Sequence, residues 1–436
     1  MQRIHSSDLK NYLNKKVLVS GWIQDIRILS NIIFLVIKDR EGFIQIFLPK
    51  NKVKEELFNL CKNLTKESVI QVIGIVLKSK QAKLGFEIIP ESIQVLSLAN
   101  TPTPIDTSGK INSDLSVRLD HRFLDLRNPK RIAIFKIRSK TALLVSEFFD
   151  SNGFININTP KITTTGVESG AELFEVNYFG RKAFLAQSPQ IYKQMMVAAG
   201  LEKVYEIGAV FRAEKSHTTR HLTEFTGIDF EQAFIESEQD IMDTNENLMK
   251  FIIKGLNKQC KEQLELILGH TLIEPKKIPR ITMKEAKEML AKKGKRLPEK
   301  EDFDPEAEKM LGEIIKKEFD SDFVFVYLYP WEKRPFYHML PENDKSVTKS
   351  FDLLWNGLEI ATGAQREHRY EILKEQAKRK GIDLDQMKDY ANIFKYGCPP
   401  HGGTGLGLDR IIEAMLCLDN IREGILLPRD PLRLNP

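Results

Sequence analysis

Cysteine is scarce and scattered: four residues, Cys61, Cys260, Cys398 and Cys417, in a chain of 436. No two form a CxxC pair, so neither a zinc ribbon nor a disulfide framework is indicated, and a reducing cytoplasm is the compartment that fits. No run of eighteen apolar residues occurs, which argues against a membrane-spanning helix, and the opening MQRIHSSDLK lacks the apolar core of a signal peptide. Neither charge dominates: 65 Lys and Arg against 60 Asp and Glu leave +5. That excess permits a nucleic-acid partner without requiring one. There is no internal repeat. The glycines at 402, 403, 405 and 407 do not fit GxGxxG and no Lys-Ser/Thr follows them, so this is neither a dinucleotide fingerprint nor a P-loop. With 42% hydrophobic and 29% charged residues, a chain of this length is expected to form two or three domains.

What is present begins with short strands. Residues 17–28 (VLVSGWIQDIRI) form a strand candidate, and 32–38 with 43–48 flank Asp39-Arg40-Glu41-Gly42 as a hairpin with a four-residue loop. An amphipathic helix follows, with Val53, Leu57, Leu60, Cys61 and Leu64 on one face. Strands at 69–78 and 86–98 complete an order of three strands, a helix and two strands. That order suits an OB-fold, a barrel that often binds single-stranded nucleic acid, and equally another small β-domain. Residues 99–116, polar and carrying Pro102 and Pro104, read as a linker. From Pro129 a helix is expected, with Ile134, Ile137, Val145, Phe148 and Phe149 on a broad face and a stop at Asn152-Gly153. Strands are expected to dominate up to about Phe234, helices from about 238 to 319, and strands again at 323–328, 350–355 and 358–361.

Three segments carry chemistry. In 204–234 two strand-like arms flank a loop holding Lys215, His217, Arg220 and His221. Arg212 on a strand offers a planar, permanently charged grip for a phosphate, and Phe225 a stacking face for a base. Taken alone, a surface hairpin with solvated charges explains the segment as well. The second, PPHGGTGLGLDRIIEAMLCL at 399–418, combines strand glycines with a helix starting near Arg410. In the third, 351–369, Asp352, Glu359 and Thr362 could offer hard oxygens to Mg2+, and Arg366 could grip a carboxylate. A regular strand puts Glu359 and Thr362 on opposite faces, so shared coordination needs an irregularity near Gly363. Charged strand edges that merely guard a sheet are the plain alternative.

The conjunction decides. Phe-Arg-x-Glu, a basic loop, a strand acid pair and Gly-x-Gly-x-x-Arg, in that order, resemble the three motifs of class II aminoacyl-tRNA synthetases. Residues 149–162 with Pro160 look like motif 1, 211–229 like motif 2 and 405–410 like motif 3. From residue 17 to the end the chain resembles aspartyl-tRNA synthetases of the archaeal and eukaryotic type, through GAELFEVNYF, FLAQSPQIYKQ, YEIGAVFRAE, TTRHLTEF, GAQREHR, PPHGGTGLGLDR and LPRDPLRLNP. The resemblance implies an α+β chain. An N-terminal OB-fold anticodon-binding barrel would occupy 1–98 and a hinge 99–128. The class II catalytic domain, an antiparallel sheet flanked by helices, would occupy 129–436 with a helical insertion at about 238–319.

The same resemblance implies roles. Arg212 would bind the α-phosphate of ATP beside Glu214, Phe225 would stack on adenine, and Arg220, His221 and Arg410 would hold the outer phosphates. Asp352, Glu359 and Thr362 would ligate Mg2+, with Thr362 where the family usually has serine. L-Aspartate would lie against Lys193 and Arg366, with Gln190 and Asp229 at its amino end and Glu168 and Ser169 on a closing loop. Two fixed cations in a dry pocket would favour a carboxylate over an amide, and Lys193 stands where asparaginyl enzymes generally carry an apolar residue.

On the barrel, Phe34 would stack on an anticodon base, Gln45 would read the central uracil and Glu87 the third base. Strict archaeal enzymes resemble one another in a Trp and a Lys where this chain has Gln24 and Lys83. One departure and one match leave open whether tRNA(Asn) is charged besides tRNA(Asp). A homodimer through motif 1 is implied. Rival readings are an asparaginyl-tRNA synthetase, a tRNA-independent asparagine synthetase, and a non-catalytic RNA-binding paralogue lacking Arg212, Glu359 or Arg410; all three residues are present.

Overall fold

The computed structural model describes residues 1–82, 85–164, 172–216 and 218–435, and the chain folds as two compact units, Met1–Arg131 and Ile132–Pro436. In the first, strands β1 (Lys16–Ile28), β2 (Ile32–Lys38) and β3 (Phe43–Pro49) precede helix α1 (Glu55–Lys62) and strands β4 (Val69–Lys78) and β5 (Phe86–Ser97). The strands close into a barrel in the order β1-β2-β3-β5-β4, with β3 and β5 parallel. This is an OB-fold. Period-two alternation fills it: Ile33, Leu35, Ile37, Ile44, Ile46 and Leu48 are fully buried, while Phe34, Val36, Gln45 and Phe47 between them face outward and are half-buried. Helix α1 plugs one end with Leu57, Phe58 and Cys61, whereas Leu60, expected on the same face, points to solvent. Residue 58 lies next to 57 and one turn from 61, and it takes the inward place.

The loop of the β2–β3 hairpin is held from inside. Asp39, 2% exposed, accepts from Ser6 N at 2.6 Å, Ser6 Oγ at 2.7 Å, and the amides of Glu41 and Gly42, both at 2.9 Å. Burial opposes its ionisation, but these donors outweigh burial and hold its carboxyl below the usual range.

Short helices α2 (Leu115–Asp120) and α3 (Arg122–Asp125) follow, then the long helix α4 (Pro129–Ser151), which stops where Gly153 takes a φ of +77°. The second unit continues with strands β6 (Ile155–Asn156), β7 (Ile162–Thr163), β8 (Glu175–Tyr178) and β9 (Arg181–Leu185), helix α5 (Gln190–Met196), and strands β10 (Lys203–Phe211) and β11 (Glu224–Ala233). Helices α6 (Glu238–Gln259) and α7 (Lys261–Leu268), strand β12 (Arg280–Thr282), helices α8 (Met283–Lys292) and α9 (Pro305–Phe319), and strand β13 (Phe323–Tyr327) come next. Strands β14 (Ser350–Trp355) and β15 (Leu358–Gln365), helices α10 (Tyr370–Arg379) and α11 (Lys388–Lys395), strand β16 (His401–Gly407) and helix α12 (Leu408–Leu416) complete the unit.

Eight strands form one sheet in the order β12-β13-β14-β15-β16-β11-β10-β6, antiparallel except at its two outer pairs, β12–β13 and β10–β6. Helices α4, α6 and α12 cover one face, where Ile137, Ile252 and Ile412 meet Phe230, Leu353 and Leu406 of the strands. The alternate strand residues stand on the other face. Helix α5 interrupts a stretch in which strands were expected to dominate. The stretch 238–319 divides by packing: α6 joins the main core, and α8 with α9 builds a separate core on Val324, Val326 and Leu354 of the sheet edge.

Asp39→Ala is expected to cost the barrel about 2 kcal/mol at neutral pH, because it strands buried donors. The measurement is hydrogen exchange of the β2 and β3 amides, roughly thirtyfold faster in the variant. Because the folded pKa is depressed, this stabilisation is present above the ordinary carboxylate pKa and is lost as pH falls through the folded value. The gap between variant and native chain therefore closes in acid.

Candidate active site

The uncovered face of the sheet is laid out in rows. Asp229 of β11 is opposite Gly405 of β16, Gly405 opposite Thr362 of β15, and Thr362 opposite Asp352 of β14. The next row runs Glu231, Gly403, Ala364, Ser350 in the same order. Gly403, Gly405 and Gly407 thus alternate along β16 on the side away from the core, and a Cβ on Gly403 would strike the Glu231 carboxylate. The glycines that fit no phosphate-loop pattern are strand residues that keep the floor of a site low. Above them lies a cleft of about 310 Å³, lined among others by Gln190, Lys193, Arg212, Phe225, Asp229, Glu359, Thr362, Arg366 and Arg410.

At one end the carboxylate of Glu231, wholly buried, accepts from Arg366 Nε at 2.9 Å and lies 3.4 Å from Lys193 Nζ. Lys193 also reaches Asp229 Oδ1 at 2.9 Å and the Thr404 carbonyl at 3.2 Å. Arg366 donates through Nη2 to Gln190 Oε1 and the Gly403 carbonyl, and through Nη1 to His338 Nε2 at 2.9 Å. Burial raises the Glu231 pKa, but Arg366, Lys193 and His401 outweigh it, and the carboxyl sits below its ordinary value. Burial and the neighbouring cations hold His338 well below its own, which leaves Nε2 free to accept.

The two cations expected here are not alone: Asp229 and Glu231 match Lys193 and Arg366 one for one. Lys193 Nζ and the Arg366 guanidinium can only donate, while Asp229 and Gln190 Oε1 stand beside them as acceptors. An amide NH2 turned toward the two cations has no acceptor on either of them, whereas a carboxylate can accept from both.

At the other end Arg212 leaves β10 with its guanidinium carbon 5.2 Å from the Phe225 ring centre, and its buried Nε has no hydrogen-bond partner among the described residues. Glu214 stands 4.0 Å from Arg212 and 3.9 Å from His221. Burial, with Arg410, Arg212 and Arg220 close by, lowers the His221 pKa against the pull of Glu214. Arg220 pairs with Glu308 at 3.1 Å, and Arg410 donates to the Glu359 carbonyl at 3.1 Å with its carboxylate 3.4 Å away.

Glu359 and Thr362 do meet: Thr362 Oγ1 donates to Glu359 Oε1 at 3.1 Å. The irregularity that allows it lies at Ile360, not near Gly363. Leu353 faces Ala361 while the adjacent Leu354 faces Glu359, so β15 carries one extra residue. Asp352 sits in the row beside Thr362 with Oδ2 held by Arg334 at 2.6 Å and Oδ1 buried without a partner among the described residues. Burial drives its pKa up, against Arg334 and with Glu359. Among the described residues no group of three or more His, Cys, Asp or Glu side chains is placed to hold a metal. The oxygens of Glu359 and Thr362 and the unpaired Asp352 oxygen nonetheless suit a hard cation whose remaining ligands come from a phosphate.

On the barrel, Phe34 stacks on Phe47 at 5.1 Å and 24°, so it belongs to the outer face and not the core. Gln45 donates to Glu87 at 3.0 Å across β3 and β5, and Gln24 is the residue skipped where β1 bulges between Ile23 and Asp25. Lys83, Glu168, Ser169 and His217 lie outside the described residues.

Several supports escaped the sequence reading. Glu231 follows Asp229 by two and so shares its face, a signal available from strand alternation alone. Asp409 of the LGLDR string accepts the Thr226 amide at 2.8 Å and meets Arg138 of α4, pinning β11 to α12. Buried Arg422 binds Asp430 at 2.6 Å and the Thr218 and His221 carbonyls, so the C-terminal LPRDPLR string braces the basic loop; only the fold brings them together.

A barrel of OB type and an antiparallel sheet with an arginine-lined cleft on its open face define a class II synthetase. Residues 114–431 match the family described as tRNA synthetases class II (D, K and N), and 17–96 match the OB-fold nucleic acid binding domain. Over the full length of both chains, identity is 51% to the aspartate–tRNA(Asp) ligase of Pyrococcus abyssi and 43% to the aspartate–tRNA(Asp/Asn) ligase of Archaeoglobus fulgidus. Among solved structures, the asparaginyl-tRNA synthetase of Pyrococcus horikoshii complexed with asparaginyl-adenylate aligns over all of both chains with a TM-score of 0.94 at 32% identity. The aspartyl tRNA synthetase of Entamoeba histolytica gives 0.90 at 34%, covering all of this chain and 93% of its own. The chain belongs to the class II aminoacyl-tRNA synthetases that act with ATP, in the group with the archaeal aspartate–tRNA ligases.

Glu231→Gln keeps volume but leaves two buried cations with one buried anion. It is expected to lower thermal stability and to raise the KM for aspartate in pyrophosphate exchange at least about tenfold, with the KM for ATP changed less than about threefold.

Proposed function

We propose that this chain is an aspartate–tRNA ligase that activates L-aspartate with ATP and transfers it to the 3′ end of tRNA(Asp). The observation that carries the reading is one cleft whose lining joins Lys193 and Arg366, ordered by Glu231, with Arg212, Phe225 and Arg410. The α-ammonium of aspartate meets Asp229 and Gln190, its side-chain carboxylate meets Lys193 and Arg366, and its α-carboxylate is left pointing to Arg212. That carboxylate is itself the nucleophile at the α-phosphorus, so no side chain need act as general base, and positioning with charge stabilisation carries the step. Arg212 steadies the α-phosphate, Phe225 takes the adenine face, and Arg220, His221 and Arg410 draw off the outer phosphates as pyrophosphate leaves. A ribose hydroxyl of tRNA then attacks the mixed anhydride.

Mg2+ belongs to the same reading. Held by Glu359, Thr362 and the unpaired oxygen of Asp352, it would neutralise charge on the triphosphate. The barrel, residues 1–98, is the anticodon-binding domain, 99–128 the hinge and 129–436 the catalytic domain. Phe34 stacked beside Phe47, with Gln45 and Glu87 as a polar pair on adjacent strands, gives the outer face one stacking surface and one edge reader. Homodimerisation through motif 1 and residence in the cytoplasm, where four unpaired cysteines stay reduced, complete the proposal.

The test is ATP–pyrophosphate exchange driven by aspartate and by asparagine. Exchange with asparagine alone overturns the reading in favour of an asparaginyl enzyme, and exchange with neither favours a non-catalytic paralogue. Charging of purified tRNA(Asp) and tRNA(Asn) side by side then decides the tRNA range. Arg366→Leu is expected to abolish aspartate-dependent exchange while ATP binding, measured by calorimetry, stays within about threefold. Phe34→Ala is expected to weaken tRNA charging about tenfold, the loss of one base stack, with exchange unchanged; lost exchange would point to a folding role instead.

A further inference from the structure

The helical stretch between β11 and β13 has no part in the chemistry so far, yet one of its helices reaches the phosphate end of the cleft. Helix α9 lies directly on the β14–β15 turn, where Gly357 takes a φ of +74°. The approach is backbone to backbone: a Cβ on Gly312 would stand 2.6 Å from Gly357 N, and one on Gly357 would stand 2.6 Å from the Glu308 carbonyl. Two glycines therefore set the height of α9 above the sheet. Glu308, one helical turn before Gly312 and on the same side of the helix, is brought down beside Glu359, two residues past that turn. From there its Oε2 accepts from Arg220 Nη1 at 3.1 Å.

Arg220 lines the cleft and Glu308 does not. The carboxylate sits behind the arginine, takes one of its five N–H donors and leaves the rest of the fork for a ligand. Burial, with Glu359 near, pushes the Glu308 carboxyl up to about 7 even with Arg220 and Arg410 drawing it down, so the carboxylate depends on its arginine. The basic loop that carries Arg220 is otherwise tied through its backbone, by Arg422 to the Thr218 and His221 carbonyls. Among the described residues, the guanidinium's own hydrogen bond is the one to Glu308.

We propose that Glu308 is a positioning residue that fixes the Arg220 guanidinium at the cleft wall for the outer phosphates of ATP, so that α9 takes part in nucleotide binding. The inference rests on the reading of Arg220 given above.

The test compares Glu308→Ala, Glu308→Gln and Arg220→Ala in the full-length chain. Glu308→Ala is expected to raise the KM for ATP in aspartate-dependent exchange about tenfold, with kcat within about twofold. Its affinity for a sulfamoyl analogue of aspartyl-adenylate, which has no outer phosphates, should stay within about twofold. Glu308→Gln, an acceptor without the charge, should fall between. Adding Glu308→Ala to Arg220→Ala should do nothing more, since the two act as one unit. Equal weakening of ATP and the analogue by Glu308→Ala would mean a merely structural residue and overturn the inference. So would an unchanged KM for ATP in Glu308→Ala when Arg220→Ala raises it, a result that leaves the reading of Arg220 intact. An Arg220→Ala variant with unchanged KM for ATP would instead remove that reading, and the inference with it.

Discussion

One carboxylate, that of Glu231, sets the order of the Lys193–Arg366 end of the cleft. It is wholly buried between two cations that are themselves buried. Without it, Lys193 and Arg366 would repel each other across a dry space and turn toward solvent. With it, Arg366 is held at Nε and its two terminal nitrogens are fanned onto His338, Gln190 and the Gly403 carbonyl. Burying four charges is costly unless every one is paired and hydrogen-bonded, and here each is. In the proposed aspartate pose, selectivity would come from direction as much as from charge, because Lys193 and Arg366 can donate to the ligand but cannot accept from it.

The sheet supplies the rigidity that such a wall needs. Its helix-covered face is closed by aromatic and aliphatic contacts such as Phe230 with Phe149 and Phe325 with Phe351, and its open face inherits that order residue by residue. Strand β16 contributes little to the open face except absence, because glycines at 403, 405 and 407 let ligand and neighbouring carboxylates come close to backbone. Strand β15 contributes an extra residue at Ile360, which turns Glu359 onto the same side as Thr362. Both devices break the local regularity of a strand, and both do so where a ligand must be held.

Much of this was legible in the residues. Two short apolar runs at 32–38 and 43–48 around Asp39-Arg40-Glu41-Gly42 marked the barrel hairpin, which pairs as β2 and β3, and the string around Arg212 and Phe225 marked two arms of a hairpin, which pair as β10 and β11. Other features were hidden for identifiable reasons. Helix α5 is only seven residues long, too short for its period to stand out among strands. Leu60 and Phe58 are equally apolar, and only docking onto the barrel chose between them. The bulge at Ile360 has no composition of its own, so its need could be deduced from Glu359 and Thr362 but its place could not. The buttress of Arg422 and Asp430 acts on a loop about two hundred residues earlier in the chain, and no local pattern announces that.

The sequence by itself determined the alternation that closes the barrel, the order of motifs and the residue types on the open face of the sheet, because these depend on spacing along a single strand or helix. Tertiary structure alone decided which charges share a partner: Glu231 with Lys193 and Arg366, Arg334 with Asp352, Glu308 with Arg220. Electrostatic partnership depends on distance and burial in space. Those are set only when β11, β14, β15, β16, α5 and α9 have packed and excluded water from the places where the charges meet.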